Sequence, residues 1–281
     1  MSGDLQAPEA ALVIFAKAPI PGQVKTRLCP PLTPDEAATL HGSFVLDVLE
    51  CSGRAAYPKG SRKGLLTLDR FLACAPSSDH VFFKIMEERH GVHLIDQVGE
   101  DLGSRMSQAF QVVFDMGYRK ALIIGTDLPT LPESALRQAQ DLLTDHDLVL
   151  GPSLDGGYYL IGLTKPAPDL FTGIPWSTGH VCEATRTKAD AMGLKTALLP
   201  TCRDVDTIED LMAVIREAGF GAPHEAPDTR RAAKEPPNFQ ARTSNRAGQA
   251  PSPEPRSPLL SKRTAGALRL LASRHRKEFG D

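Results

Sequence analysis

The sequence predicts a three-layer α/β domain built on a mainly parallel sheet. Short apolar runs alternate with helically spaced apolar positions over residues 10–221, and the runs end in loops rich in Gly, Pro and Asp. The alternation then stops. Residues 222–258 hold eight prolines with many Arg, Ser and Ala, too little apolar surface to repay the entropy of ordering. We therefore expect one folded domain over 10–221 and a Pro/Arg-rich, mostly disordered tail over 222–281.

Residues 12–16 are apolar, short and flanked by breakers, which marks a buried strand. Thr33-Pro34-Asp35-Glu36 opens a helix, with Thr33 as N-cap, Pro34 at the first position and Glu36 closing a capping box. Ala37, Leu40, Phe44, Val45 and Val48 continue it at helical spacing. Strands are expected over 65–75, 92–95, 121–125, 147–150, 158–163 and 194–199. Helices are expected over 79–89, 102–116, 132–144, 179–192 and 207–218. Within the tail, Leu260, Leu268 and Leu271 among Lys and Arg suggest a basic amphipathic helix over 259–279, expected to be transient or solvated.

The net charge of −2 over 281 residues hides an asymmetry. From Ala222 onward 12 Lys/Arg face 6 Asp/Glu, which leaves 20 basic against 28 acidic residues before it. An acidic body argues against nucleic acid as a partner of the folded domain. The five cysteines, Cys29, Cys51, Cys74, Cys182 and Cys202, are odd in number and never spaced C-x-x-C, the pattern of reduced thiols. No secretory leader or transmembrane-length run is visible, so a cytoplasmic protein is expected.

The first loop carries the clearest chemistry. After the strand, Pro19, Pro21 and Gly22 break regular structure, and Lys25 and Arg27 follow two residues apart. In an extended loop both would project toward one anion. The Gly-Lys-Ser/Thr ending of a P-loop is missing, and a basic surface loop is the competing interpretation. Asp127 follows a buried strand, where a carboxylate can hold a divalent metal against phosphate oxygens, or simply make a turn before Pro129. Asp155-Gly156-Gly157 sits at another strand end. There Asp155 suits a general base or a sugar-hydroxyl acceptor, or an Asp-Gly hairpin turn. Asp204 and Asp206 alternate to one side before the last helix; one of them suits a second metal ligand, while Asp206 or Thr207 suits a cap. A surface or capping role is expected for His180, with a place on the acceptor side as the alternative.

Six blocks occur in order over residues 11–212: FAKAPIPGQVKTRL, DLGSRM, GTDLPTL, GPSLDGGYYLIGL, PWSTGHV and DVDTIEDL. Together they resemble the DUF2064 family, also described as arsenosugar-biosynthesis-type glycosyltransferases, of the GT-A nucleotide-diphospho-sugar transferase superfamily. The resemblance implies a GT-A fold and a Mg²⁺ or Mn²⁺ cofactor held by Asp127 and Asp206. It implies phosphate contacts from the Gly22 loop with Lys25 and Arg27. Together with the residue patterns above, we expect nucleotide or phosphate contacts at Ala16, Lys17, Gly22, Lys25, Arg27, Arg105, Thr126, Gly156 and Gly157, with Lys25 and Asp155 in catalysis. GTDLP has one aspartate where many GT-A glycosyltransferases have D-x-D.

The expectation is a metal-dependent glycosyltransferase that takes a nucleotide-diphosphate-sugar donor and a small-molecule acceptor. The alternative is a guanylyltransferase-like nucleotidyltransferase moving NMP from an NTP. A non-catalytic nucleotide sensor is a third possibility, disfavoured by the retained aspartates. No G-x-G-x-x-G follows the first strand, which sets a dehydrogenase aside.

Overall fold

The computed structural model describes residues 9–56, 68–217 and 260–275. One sheet contains β1 Ala10–Lys17, β2 Asp69–Ala75, β3 His93–Asp96, β4 Lys120–Ile124, β5 Leu148–Pro152, β6 Tyr158–Leu163 and β7 Thr196–Leu198. The strand order is β3-β2-β1-β4-β6-β5-β7. Every neighbouring pair is parallel except β6, which runs antiparallel to β4 and β5. Around the sheet lie α1 Pro34–Ala56, α2 Val81–His90, α3 Leu102–Asp115, α4 Glu133–Leu142, α5 Val181–Ala191 and α6 Ile208–Glu217.

Strand β1 shows how the period of two builds the layers. Leu12 and Ile14 join the core beneath α1, α2 and α4, with Val45, Leu49, Phe83 and Leu136. Ala11 and Val13 join the opposite core, with Met106, Phe110 and Val113 of α3. A strand covered on both faces has no polar side, which explains its unbroken apolar run. The helix starts are encoded locally. Thr33 and Glu36 close the capping box, the Glu36 carboxylate accepting from the Thr33 N–H at 3.0 Å. Asp101 and Ser104 form a second box at α3 that sequence reading did not single out. The five cysteines are free thiols.

The tail helix departs from expectation. α7, Lys262–Arg274, is packed rather than solvated. Its Leu268 and Leu271 enter a third apolar cluster with Leu28, Leu40, Phe44, Val205 and Leu211. Polar contacts hold the edges. Arg263 reaches Asp47 at 3.1 Å and Glu50 at 2.6 Å, Thr264 donates to Asp47, and Arg274 and His275 both lie 3.2 Å from Glu36. Charged residues that looked like a solvated face in sequence are ion-pair partners for α1. The disorder expected over 222–258, and the remainder of the helix expected to 279, lie outside the described residues.

Leu268→Ala removes a fully buried side chain. It should cost about 2–4 kcal/mol, measured by urea denaturation. The backbone N–H of Thr33, with His275 and Arg274, outweighs burial and holds the Glu36 carboxyl down at about 2. A value depressed from the usual 4.5 gives stability that is complete above pH 4.5 and fades as pH falls toward 2. Glu36→Gln should therefore lower stability at neutral pH and flatten its decline across that window, measured by urea midpoints at stepped pH.

Candidate active site

The carboxyl ends of β1 and β4 open into a cleft of about 440 Å³, as expected where ligands bind in open α/β sheets. Phe15, Leu102, Met106, Ile123, Tyr158 and Ile161 form its apolar side. Lys17, Lys25, Arg27, Asp127 and Asp206 form its charged side, with Ala16 and Thr126 beside them.

The loop after β1 is not extended. Lys25 takes a left-handed conformation, φ 48°, and a 3-10 turn follows at Thr26–Leu28. This leaves the two cations at different depths on the same carboxylate, Asp206. Leu28 is fully buried and anchors the turn, while Lys25 points inward and Arg27 stays out. The Lys25 side chain is only 3% exposed. Its Nζ lies 2.5 Å from Asp127 Oδ1, 3.0 Å from Asp206 Oδ1 and 2.6 Å from the Val205 carbonyl oxygen. Burial pulls its pKa down, but Asp127 and Asp206 outweigh it, so the net shift is upward and the ammonium stays charged. Arg27 is mostly exposed, 3.8 Å from the far oxygen of Asp206.

Asp127 and Asp206 reach this point from separate segments. Asp127 extends from the end of β4, and its backbone oxygen accepts from Val205 N–H at 2.9 Å. That bond draws the segment before α6 to the end of β4. The α6 start is satisfied by Thr207 and Asp210, whose side chains bond each other and the backbone, so Asp206 is left free to face Lys25. The capping interpretation of this segment holds at Thr207, and Asp206 faces the cleft beside Lys25. Burial, then Asp155, Asp206 and Asp127, push the Asp204 carboxyl up to about 6. Among the described residues no three His, Cys, Asp or Glu side chains gather as a metal-ligand group.

Asp155 lies in a hairpin turn. Its Oδ1 accepts from Gly157 N–H at 2.8 Å and from the Ser153 hydroxyl, closing the turn between antiparallel β5 and β6. Neither Asp155 nor Gly156 nor Gly157 lines the cleft. The Asp-Gly turn interpretation accounts for all three, because β6 reverses direction at this point. Gly156, φ 87°, lies against the loop that precedes α5, and a Cβ there would sit 2.0 Å from the Gly179 carbonyl oxygen. Gly22, φ 78°, supplies a left-handed turn and also lies off the cleft. Arg105 Nε donates to the Gly99 carbonyl at 2.9 Å, which ties the loop before α3 rather than the cleft. His180 is exposed and 3.8 Å from Glu183.

Sequence reading missed His41 and Gln97. The Gln97 amide donates to the carbonyls of Ala16, at 3.1 Å, and Ala73, at 2.8 Å, bridging the ends of β1 and β2. His41, buried on α1, lies 3.0 Å from the Lys17 carbonyl through Nε2. A carbonyl only accepts, so Nε2 carries the proton and Nδ1 is an unpartnered acceptor. Burial lowers its pKa and keeps the ring neutral. No motif flags either residue; only the topology brings them to the cleft.

Gly156→Ala should lose at least about 2 kcal/mol from the strained φ and the clash, measured by denaturant melting.

The family model described as "Uncharacterized protein conserved in bacteria (DUF2064)" matches residues 62–178. A crystal structure from Desulfovibrio desulfuricans G20, provisionally described as a nucleotide-diphospho-sugar transferase, is 33% identical with a TM-score of 0.67. The match covers 80% of this chain and 92% of that one. The CTP complex of CMP:2-keto-3-deoxy-manno-octonic acid synthetase is 13% identical, covering 73% and 96%, with a TM-score of 0.44. A cytidylyltransferase from Leptospira borgpetersenii serovar Hardjo-bovis is also 13% identical, covering 77% and 89%, with a TM-score of 0.43. No curated protein matches. The matched central segment and the 33%-identical structure that spans most of both chains place this protein in the DUF2064 family, with the fold of a nucleotide-diphospho-sugar transferase.

Proposed function

We propose that the protein is a divalent-metal-dependent glycosyltransferase that takes a nucleoside-diphosphate-sugar donor and a small-molecule acceptor. The observation that carries this is the convergence of Asp127 and Asp206 on one cationic atom in the cleft, 2.5 and 3.0 Å away. Two carboxylate oxygens and a main-chain carbonyl around one cation are hard donors of the kind Mg²⁺ and Mn²⁺ take, with phosphate oxygens completing the set. Asp127 and Asp206 would hold the metal, and when bound it neutralises charge on the departing nucleoside diphosphate.

The two sides of the cleft suit the two ends of such a donor. The apolar side, from Phe15 to Ile161, fits the flat face of a base, and the charged side fits the diphosphate. Lys17 and Arg27 are exposed cations at that end, available to phosphate oxygens. In the transfer, the bond between the sugar carbon and the phosphate oxygen breaks and the acceptor oxygen takes its place. The acceptor hydroxyl releases its proton to water, and nucleoside diphosphate departs. The described relative from Desulfovibrio desulfuricans supports the donor class by its description. Asp155 is not assigned as base, because its carboxylate serves the β5–β6 turn.

Incubation with Mn²⁺ and a panel of nucleotide sugars and NTPs, followed by chromatography, should release nucleoside diphosphate from one of the sugars. Pyrophosphate release from an NTP with every nucleotide sugar intact would overturn the assignment in favour of nucleotidyl transfer, and absence of any turnover would favour a sensor. Asp127→Asn and Asp206→Asn should each weaken the Mn²⁺-dependent thermal shift by nucleotide at least about tenfold in midpoint concentration, without unfolding the protein.

A further inference from the structure

We propose that Lys25 is a resident counter-cation for the Asp127–Asp206 pair, occupying the metal position in the free protein and withdrawing to the donor phosphates when metal and nucleotide arrive together. This rests on the metal assignment above. The ammonium has three protons, and three oxygen acceptors meet it, from Asp127, Asp206 and the Val205 carbonyl. It therefore uses the same oxygens that a divalent cation would use. The two carboxylates are 45% and 41% exposed toward the cleft, while the ammonium between them is 3% exposed. Oxygens open to the cleft but joined by a buried cation form a site that is already charge-matched.

Two cations cannot share that point, since like charges a few ångströms apart repel strongly at low local dielectric. Metal alone must therefore evict an ammonium from both of its ion-pair partners among the described residues. Metal accompanied by a nucleoside diphosphate brings a replacement anion, because the phosphates supply acceptors for Lys25 on the same side of the cleft as Lys17 and Arg27. Lys25 holds a left-handed backbone at the head of a short 3-10 turn, a conformation that non-glycine residues adopt only when contacts compensate. Its side chain is held by the two ion pairs, and releasing them frees it to turn. The result is reciprocal coupling: Lys25 makes the free protein a poor metal binder and makes metal and nucleotide bind cooperatively.

The test follows free Mn²⁺ by its paramagnetic resonance signal on the full chain, with Mn²⁺ alone and then with UDP, GDP or CDP. Wild-type protein should bind Mn²⁺ at least about tenfold more tightly when one nucleotide saturates it. Lys25→Gln should bind Mn²⁺ alone at least about tenfold more tightly than wild type and lose most of the nucleotide enhancement. Equal Mn²⁺ affinity of wild type with and without all three nucleotides overturns the proposal, as does a folded Lys25→Gln that binds Mn²⁺ no better than wild type. Should Lys25→Gln be unstable, rescue of its melting temperature by Mn²⁺ beyond the shift seen for wild type supports the proposal, and its absence overturns it. Failure of Mn²⁺ to bind either protein under every condition removes the metal assignment as well, which separates the two outcomes.

Discussion

The buried ammonium of Lys25 ties together three segments that are distant in sequence. A lone charge at 3% exposure would cost several kcal/mol, so its burial requires Asp127 and Asp206 to stand where they do. The Val205 carbonyl and the Val205 N–H complete the arrangement, one to Lys25 and one to the Asp127 carbonyl. The loop after β1, the end of β4 and the approach to α6 are thereby fixed against each other. The site's geometry follows from a desolvation requirement as much as from the sheet.

That ionic centre sits on an apolar base. Phe44 of α1 presents its ring 6.0 Å from the Lys25 ammonium and also packs in the cluster that receives Leu268 and Leu271 of α7. Leu28, which anchors the 3-10 turn, and Val205, which bonds Lys25, belong to the same cluster. Helix α7 thus closes the floor on which the cation loop rests. Its contribution is structural, and it comes from a segment that the sequence pattern marks as a transient or solvated helix.

How far the sequence could be read depended on the range of the interactions concerned. The strand 12–16 and the Thr33–Glu36 capping box are local, and they appear in the structure as expected. The location of Asp127 and Asp206 at one edge was legible because strand ends in a parallel sheet share an edge. Asp155 was ambiguous because an Asp-Gly pair at a strand end serves a ligand loop or a hairpin equally well. The antiparallel course of β6 selects the hairpin, and strand direction is a property of pairing rather than of composition.

Taken alone, the sequence determined the layered α/β architecture, the order of strands and helices along the chain and the set of charged residues delivered to one sheet edge. Local propensity, side-chain period and breaker residues suffice for those. Tertiary structure alone decided which charges meet: that Lys25 turns inward against two carboxylates while Arg27 turns out, that His41 and Gln97 reach the cleft, and that α7 docks on α1. Those outcomes depend on desolvation and on contacts between residues up to some two hundred positions apart, and no window along the chain contains both partners.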